Sequence, residues 1–234
     1  MGGIGNQLYQ YAAGRRLAYK LNTELKLDTT FYDRDNLRPY ALNFFNIKES
    51  IATPEEIERI RKISAEKNIG IEGNTQHFIP EVLRYPNNVW LYGYWQQEKY
   101  FADISNILRK EFTLKQALGS SAKSWKEKIL ANECSVSLHI RHGDFAYSPI
   151  NSPYPGAFAI LPLEYYYNCI TSLKNDHKNL TLFVFSDNLN WLKENFLSDL
   201  PTQFVEGEDL KDVEELYLMS LCKHNIIANS TFSW

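Results

Sequence analysis

Apolar side chains recur at helical spacing early in the chain. Leu8, Tyr11, Ala12 and Tyr19 share one face, and the pattern predicts a helix over 7–21. Arg15 falls on that same face, which an ion pair or a snorkelling side chain would explain. Short runs at 24–28 and 89–94 read as strands, and 97–112 as a helix. Thr53-Pro54-Glu55-Glu56 is a helix start, with Thr53 as N-cap, Pro54 at the first position and Glu56 closing a capping box. After 119 the alternation sharpens into strand 135–141, helix 163–174, strand 181–185, a short helix around Trp191, helix 210–222 and strand 225–228. The polar stretch 114–124, with Gly119-Ser120-Ser121, reads as a domain boundary. Strand-then-helix order in both halves predicts an α/β fold. It would comprise two Rossmann-type parallel-sheet domains, 1–118 and 119–234, with a cleft between them.

Composition narrows the class. A chain of 234 residues with 44% hydrophobic content buries a substantial core. A formal charge of -3 with interspersed signs excludes the basic footprint of a nucleic-acid binder. Cys134, Cys169 and Cys222 are far apart and odd in number, so they read as reduced thiols rather than a disulfide or zinc framework. No run approaches the ~18 apolar residues of a spanning helix. The expectation is a cytoplasmic protein, with peripheral association at the inner face of a membrane left open. The chain also reads as cut at both ends: only Met1 precedes the glycine loop, and Ser230-Thr231 would start a helix at the last residues.

The candidate chemistry gathers at strand ends. Ligands of open α/β sheets bind outside the carboxyl ends of the strands. "SLHIRHGDF" delivers Arg141 and His142 to such an edge, and "NIIANSTFSW" runs from a strand into a hydroxyl-rich turn. A planar cation facing a Ser/Thr helix start makes a diphosphate clamp. Asp144 could hold the Arg141 guanidinium or cap the next turn. Ser186-Asp187 ends another strand, where the Asp could accept from a base or ribose, or cap the helix near Asn188. The loop Gly2-Gly3-Ile4-Gly5-Asn6-Gln7 lacks the spacing and lysine of a Walker loop, and its plainer reading is a tight turn with Asn6 as N-cap. Asp33-Arg34-Asp35 has the D-x-D form but sits in a charged, solvated loop. The sequence shows no His and carboxylate cluster of metal-ligand spacing. Arg141-His142-Gly143 also resembles the segment that gives histidine phosphatases their nucleophile, here His142.

Together these segments resemble the glycosyltransferase family 11 α-1,2-fucosyltransferases. "GGIGNQLYQYAAGRRLA" is similar to the opening loop and helix of that family, and "LYGYWQQEKYF" to its middle segment. "HIRHGDF" is similar to its H-x-R-R-G-D block, "FVFSDNLNW" to its F-S-D block, and "LYLMSLCKHNIIANSTFSW" to its final block. The resemblance implies a GT-B-like fold, GDP-fucose as donor and an inverting mechanism. It implies no metal or other cofactor, and as acceptor the 2-hydroxyl of a galactose-terminated oligosaccharide or lipopolysaccharide. Carried over residue by residue, Arg141 holds the diphosphate and His139 lies near the nucleotide. Ser186 and Asp187 help recognise the nucleotide, and Asn229, Ser230, Thr231 and Phe232 form the turn that caps the phosphate. Gly3, Gly5 and Asn6 form the loop facing the transferred sugar. His139, Asp144 and Asn6 are the candidate catalytic bases. Tyr92, Tyr94 and Trp95 could stack on a sugar ring or pack in the core. His142 departs from the family, replacing the second arginine of its block. Two readings compete: a phosphohydrolase using His142, and a nucleotide-sugar-binding fragment without catalysis.

Overall fold

The computed structural model describes residues 1–34, 38–72, 77–142 and 160–234. It divides into two compact units, Met1–Gln116 and Ala117–Trp234. Among the described residues no helix is long and apolar enough to cross a membrane.

The first unit is built on helix α1, Ile4–Lys20, with α2 at Pro54–Lys67 and α3 at Ser105–Glu111. Helix α1 is buried around most of its circumference rather than along one stripe, and Tyr19, expected inside, is exposed. Arg15 is buried because Glu111 meets it: Nε lies 3.0 Å from Oε1, with both side chains 9% exposed. The Tyr11 hydroxyl donates to Glu111 Oε2 at 2.7 Å and accepts from the Lys48 amide at 3.1 Å. Burial, first of all, and this carboxylate push the Tyr11 phenol up. One buried carboxylate therefore joins α1 to the far end of the unit. Helix α2 starts as expected, with the Glu56 amide donating to Thr53 Oγ1 and the Thr53 amide to Glu56 Oε2.

Three expected elements differ. The runs at 24–28 and 89–94 form only single parallel bridges, Leu27 with Ile51 and Tyr92 with Ile71. Residues 26–28 and 89–91 both line a cavity of about 370 Å³, so neither run has a strand neighbour along that edge among the described residues. The helix expected over 97–112 is broken into the 3₁₀ turns Glu98–Tyr100 and Ala102–Ile104 before α3 begins. Phe101 (φ -145, ψ 9) interrupts it and sets its ring edge-on to Tyr9. Packing of buried aromatics here overrides helical periodicity.

The second unit holds a four-stranded, all-parallel sheet. Its strands are β1 Cys134–Ile140, β2 Leu180–Ser186, β3 Thr202–Phe204 and β4 His224–Ile226, in the order β3-β2-β1-β4. The helices are α4 Ser120–Leu130, α5 Leu163–Asp176, α6 Leu189–Asn195 and α7 Asp212–Leu221. Every residue of β1 is buried, as expected of a strand covered on both faces. One face packs Val136, Leu138, Leu182 and Val184 against Tyr166 and Ile170 of α5, and the other packs Phe183 and Phe185 against α4 and α7. The polar stretch read as a boundary contains the start of α4, where Asp209 accepts from the Ser120 amide and hydroxyl.

The buried carboxylate makes a direct prediction. Removing one partner of a buried ion pair costs about 3–5 kcal/mol, so Glu111→Ala should lower the midpoint of thermal unfolding by about 10 °C or more. Asp103, on the surface pair with Arg16, has a side chain 57% exposed, and Asp103→Ala should cost under about 1 kcal/mol. Equal losses in the two variants would contradict this account of the unit.

Candidate active site at the carboxyl edge of the sheet

Strands β1 and β2 run in register from Cys134 opposite Leu180 to Ile140 opposite Ser186. The next residue on each side is charged, which brings Arg141 beside Asp187. Arg141 Nε lies 3.0 Å from Asp187 Oδ2, and the side chains are 18% and 21% exposed. The second oxygen, Oδ1, accepts from the His142 amide at 2.9 Å. One carboxylate thus fixes both the guanidinium and the backbone that leaves the strand. His142 lies flat on Trp191 of α6, with centroids 3.8 Å apart and planes 15° from parallel, and the Asn188 side chain approaches its Nδ1 at 3.4 Å. Asn188, not Asp187, caps α6: its Oδ1 accepts from the Trp191 amide, while Ser186 Oγ accepts from the Asn188 amide. The carboxylate expected to cap a helix or meet a base is therefore engaged by residues 141–142. Asp144 and Asp35 lie outside the described residues.

The other face of β1 is polar as far as the edge. Ser137 Oγ donates to Asn225 Oδ1 at 2.6 Å, next door on β4. His139, 2% exposed, sets Nδ1 2.8 Å from Ser233 Oγ and its ring against Phe232 at 5.4 Å. Ser230 shapes the turn after β4: its Oγ accepts from the Phe232 amide, and its carbonyl accepts from the Ser233 amide. His139 thereby anchors the hydroxyl turn that follows β4 to β1. Burial, then the charge of Arg141, lowers the His139 pKa to about 4, so the ring is neutral at pH 7. A base that weak is suited to holding Ser233 rather than to taking a proton near neutrality.

Sequence reasoning missed Glu215. It sits on α7, where burial, then Asp212 and Asp187, raises its pKa to about 7. The Asp187 charge reaches it, so Glu215 belongs to this same edge. Glu in an apolar helix run, "VEELYLMSL", was the available signal. The neighbouring Glu214 is structural: its Oε1 accepts from the Gly119 amide at 2.7 Å.

Gly3, Gly5 and Asn6 belong to the first unit. Gly2 (φ +78) takes the left-handed backbone that glycine tolerates, and Gly3 is the N-cap of α1. Asn6, expected as the cap, instead lies inside the helix, and its Oδ1 accepts from Gln96 Nε2 at 2.8 Å. A residue not singled out, Gln7, holds the loop: it is 2% exposed, donates to the carbonyls of Gly2 and Pro39, and accepts from the Ala41 amide. Of the aromatics, Trp95 is core whereas Tyr92 and Tyr94 are exposed. Asp33 and Arg34 are exposed as expected of a solvated loop.

The two shifted groups predict opposite pH effects on stability. His139, depressed in the folded state, adds stability that is complete above its unfolded value near 6.5 and lost as pH falls towards 4. Glu215, raised, adds stability that is complete below 4.5 and lost as pH rises through 7. Each amounts to no more than about 3 kcal/mol, and between 4.5 and 6.5 the two offset. Urea unfolding across pH should therefore show Glu215→Gln gaining stability relative to wild type from pH 5 to 8. His139→Asn should lose the acid-side decline. Parallel pH profiles for both variants and wild type would contradict the assignment.

The sequence pattern of Glycosyl transferase family 11 matches residues 4–234. The chain is 30% identical over 264 residues to an O-antigen biosynthesis glycosyltransferase, WbnK, of Escherichia coli, covering all of this chain and 86% of that protein. It is 33% identical over 248 residues to an alpha-1,2-colitosyltransferase of Escherichia coli, covering 100% and 83%. Two solved structures share the fold. The fucosyltransferase NodZ from Bradyrhizobium has TM-score 0.53 at 14% identity, covering 99% of this chain and 87% of that one. POFUT1 in complex with GDP-fucose has TM-score 0.51 at 15% identity, covering 100% and 90%. The α/β architecture is GT-B-like, as the motifs led us to expect. The chain belongs to glycosyltransferase family 11 and is a glycosyltransferase.

Proposed function

We propose that the protein transfers L-fucose from GDP-fucose to the 2-hydroxyl of a galactosyl residue in a glycan, with inversion at the sugar. The single observation that carries this reading is the Arg141 guanidinium, oriented by Asp187 at the carboxyl edge of β1. Bond breaking leaves negative charge on the GDP diphosphate while the sugar becomes oxocarbenium-like. Arg141 presents planar paired donors to those oxygens and keeps its charge at every working pH. The turn at Asn229–Ser230–Thr231–Phe232, braced by His139, is the second half of the clamp, and Ser186, at the end of β2 on the other side of β1, helps recognise the nucleotide. A preorganised donor acts where charge develops and needs no reorganisation at that moment. Gly3, Gly5 and Asn6 are proposed to face the transferred sugar, with Gln7 and Gln96 holding the start of α1 in shape. The acceptor proposed is a galactose-terminated oligosaccharide or lipopolysaccharide side chain, in keeping with the O-antigen role of one relative.

One observation favours a second donor: a relative at 33% identity is a colitosyltransferase. Both readings share the diphosphate clamp and differ in the sugar pocket. The phosphohydrolase reading has lost its support, since His142 lies flat against Trp191 and the family is one of glycosyl transfer.

Purified protein incubated with GDP-fucose or GDP-colitose and a galactosyl acceptor should release GDP and form a 2-linked product, preferentially from GDP-fucose. Arg141→Ala should lower turnover by about 10²–10³ while the chain still folds, and Arg141→Lys should restore little of it because paired planar donation is lost. A wild-type rate in Arg141→Ala would refute the role. Preference for GDP-colitose would transfer the assignment to the second donor, and GDP binding without transfer would leave only the nucleotide-sugar-binding reading.

A further inference from the structure

At the opposite end of the same sheet, three ligand-type side chains that the transfer reaction does not use come together. Cys134 is the first residue of β1, His224 the first of β4, and His177 the residue that ends α5. Their ligand atoms all lie within 4.8 Å of one another. The register explains the meeting. His224 pairs with Val136, two residues beyond Cys134, and parallel partners and alternate residues project to the same face. That face is the one packed on α5, as Cys134, Val136, Tyr166 and Ile170 share one core. The end of α5 thus brings His177 over the same spot, its ring 4.1 Å from that of His224 and tilted 42°.

We propose that Cys134, His177 and His224 bind a borderline-soft divalent cation of the Zn²⁺ class. The donor set is the sulfur and imidazole combination such ions select. A tetrahedral zinc ion, with bonds of about 2.0–2.3 Å, holds its ligand atoms roughly 3.5 Å apart, so the cluster closes by about 1 Å on binding. Cys134 is buried while both histidines are half-buried, which leaves an entry route and a fourth position for water. Binding releases the Cys134 thiol proton to solvent as the sulfur–metal bond forms. Lys223 reaches away to the Glu133 carbonyl, and Glu133 accepts from Asn179. The cluster is at the amino end of a strand whose carboxyl end leads to Arg141, roughly 20 Å away. The ion would therefore clasp β1, β4 and the end of α5 rather than take part in transfer.

Titrating untagged, chelator-stripped protein with Co²⁺ tests this. One equivalent should produce a near-ultraviolet sulfur-to-cobalt charge-transfer band with visible bands of a four-coordinate ion, and Zn²⁺ should displace it. Cys134→Ser should abolish the charge-transfer band, and His177→Gln and His224→Gln should each weaken binding by about tenfold or more. The histidine variants decide the question if the cysteine variant fails to fold. Zn²⁺ at one hundred times its Kd should raise the unfolding midpoint by about 5–10 °C in the parent and not in the variants. A charge-transfer band that persists in Cys134→Ser, cobalt binding without the band, or no binding would overturn the proposal.

Discussion

The candidate site depends on one carboxylate that holds two consecutive residues across a strand boundary. Asp187 takes Arg141 Nε on one oxygen and the His142 amide on the other. This arrangement follows from strand register: Ile140 faces Ser186, so the first residue beyond each strand must also meet its neighbour. A slip of one residue would turn Val136 and Leu138 out of one core and Ser135, Ser137 and His139 into it. The hydrophobic cost of that slip fixes the position of the cation. Core packing and the geometry of the charged edge are thus one constraint.

From that edge the rest of the unit becomes intelligible. The apolar face of β1 sets its register against α5. The polar face carries a line of hydrogen bonds from Ser137 to Asn225 and from His139 to Ser233. This line ties the hydroxyl turn to the strand that carries the arginine. A neutral, buried histidine serves here better than a charged one, since it braces the turn without repelling Arg141. Glu215 brings an ionisable acid to the same edge, and its raised pKa follows from burial beside Asp212 and Asp187.

Much of the second unit could be read from sequence because its signals are local. Apolar residues alternating with small polar ones marked β1, a nearly continuous apolar run marked β2, and strand-end position singled out Arg141, Ser186 and Ser230. Long-range features could not be read. Arg15 looked misplaced until Glu111, 96 residues on, came into contact with it. The runs 24–28 and 89–94 carry strand-like patterns, yet the cavity between them leaves only single bridges. Phe101 broke an expected helix to reach Tyr9. The helix cap is Asn188 rather than Asp187, whose carboxylate pairs with Arg141 from a neighbouring strand. Cys134, His177 and His224 have no metal-site spacing along the chain, and only parallel register together with the end of α5 brings them together.

Calorimetric titration with GDP and GMP measures most directly whether Arg141 meets the diphosphate. The wild type should bind GDP well over tenfold more tightly than GMP, and Arg141→Ala should bring the two affinities together with little change for GMP. An unaltered preference for GDP in the variant would show that the diphosphate is held elsewhere.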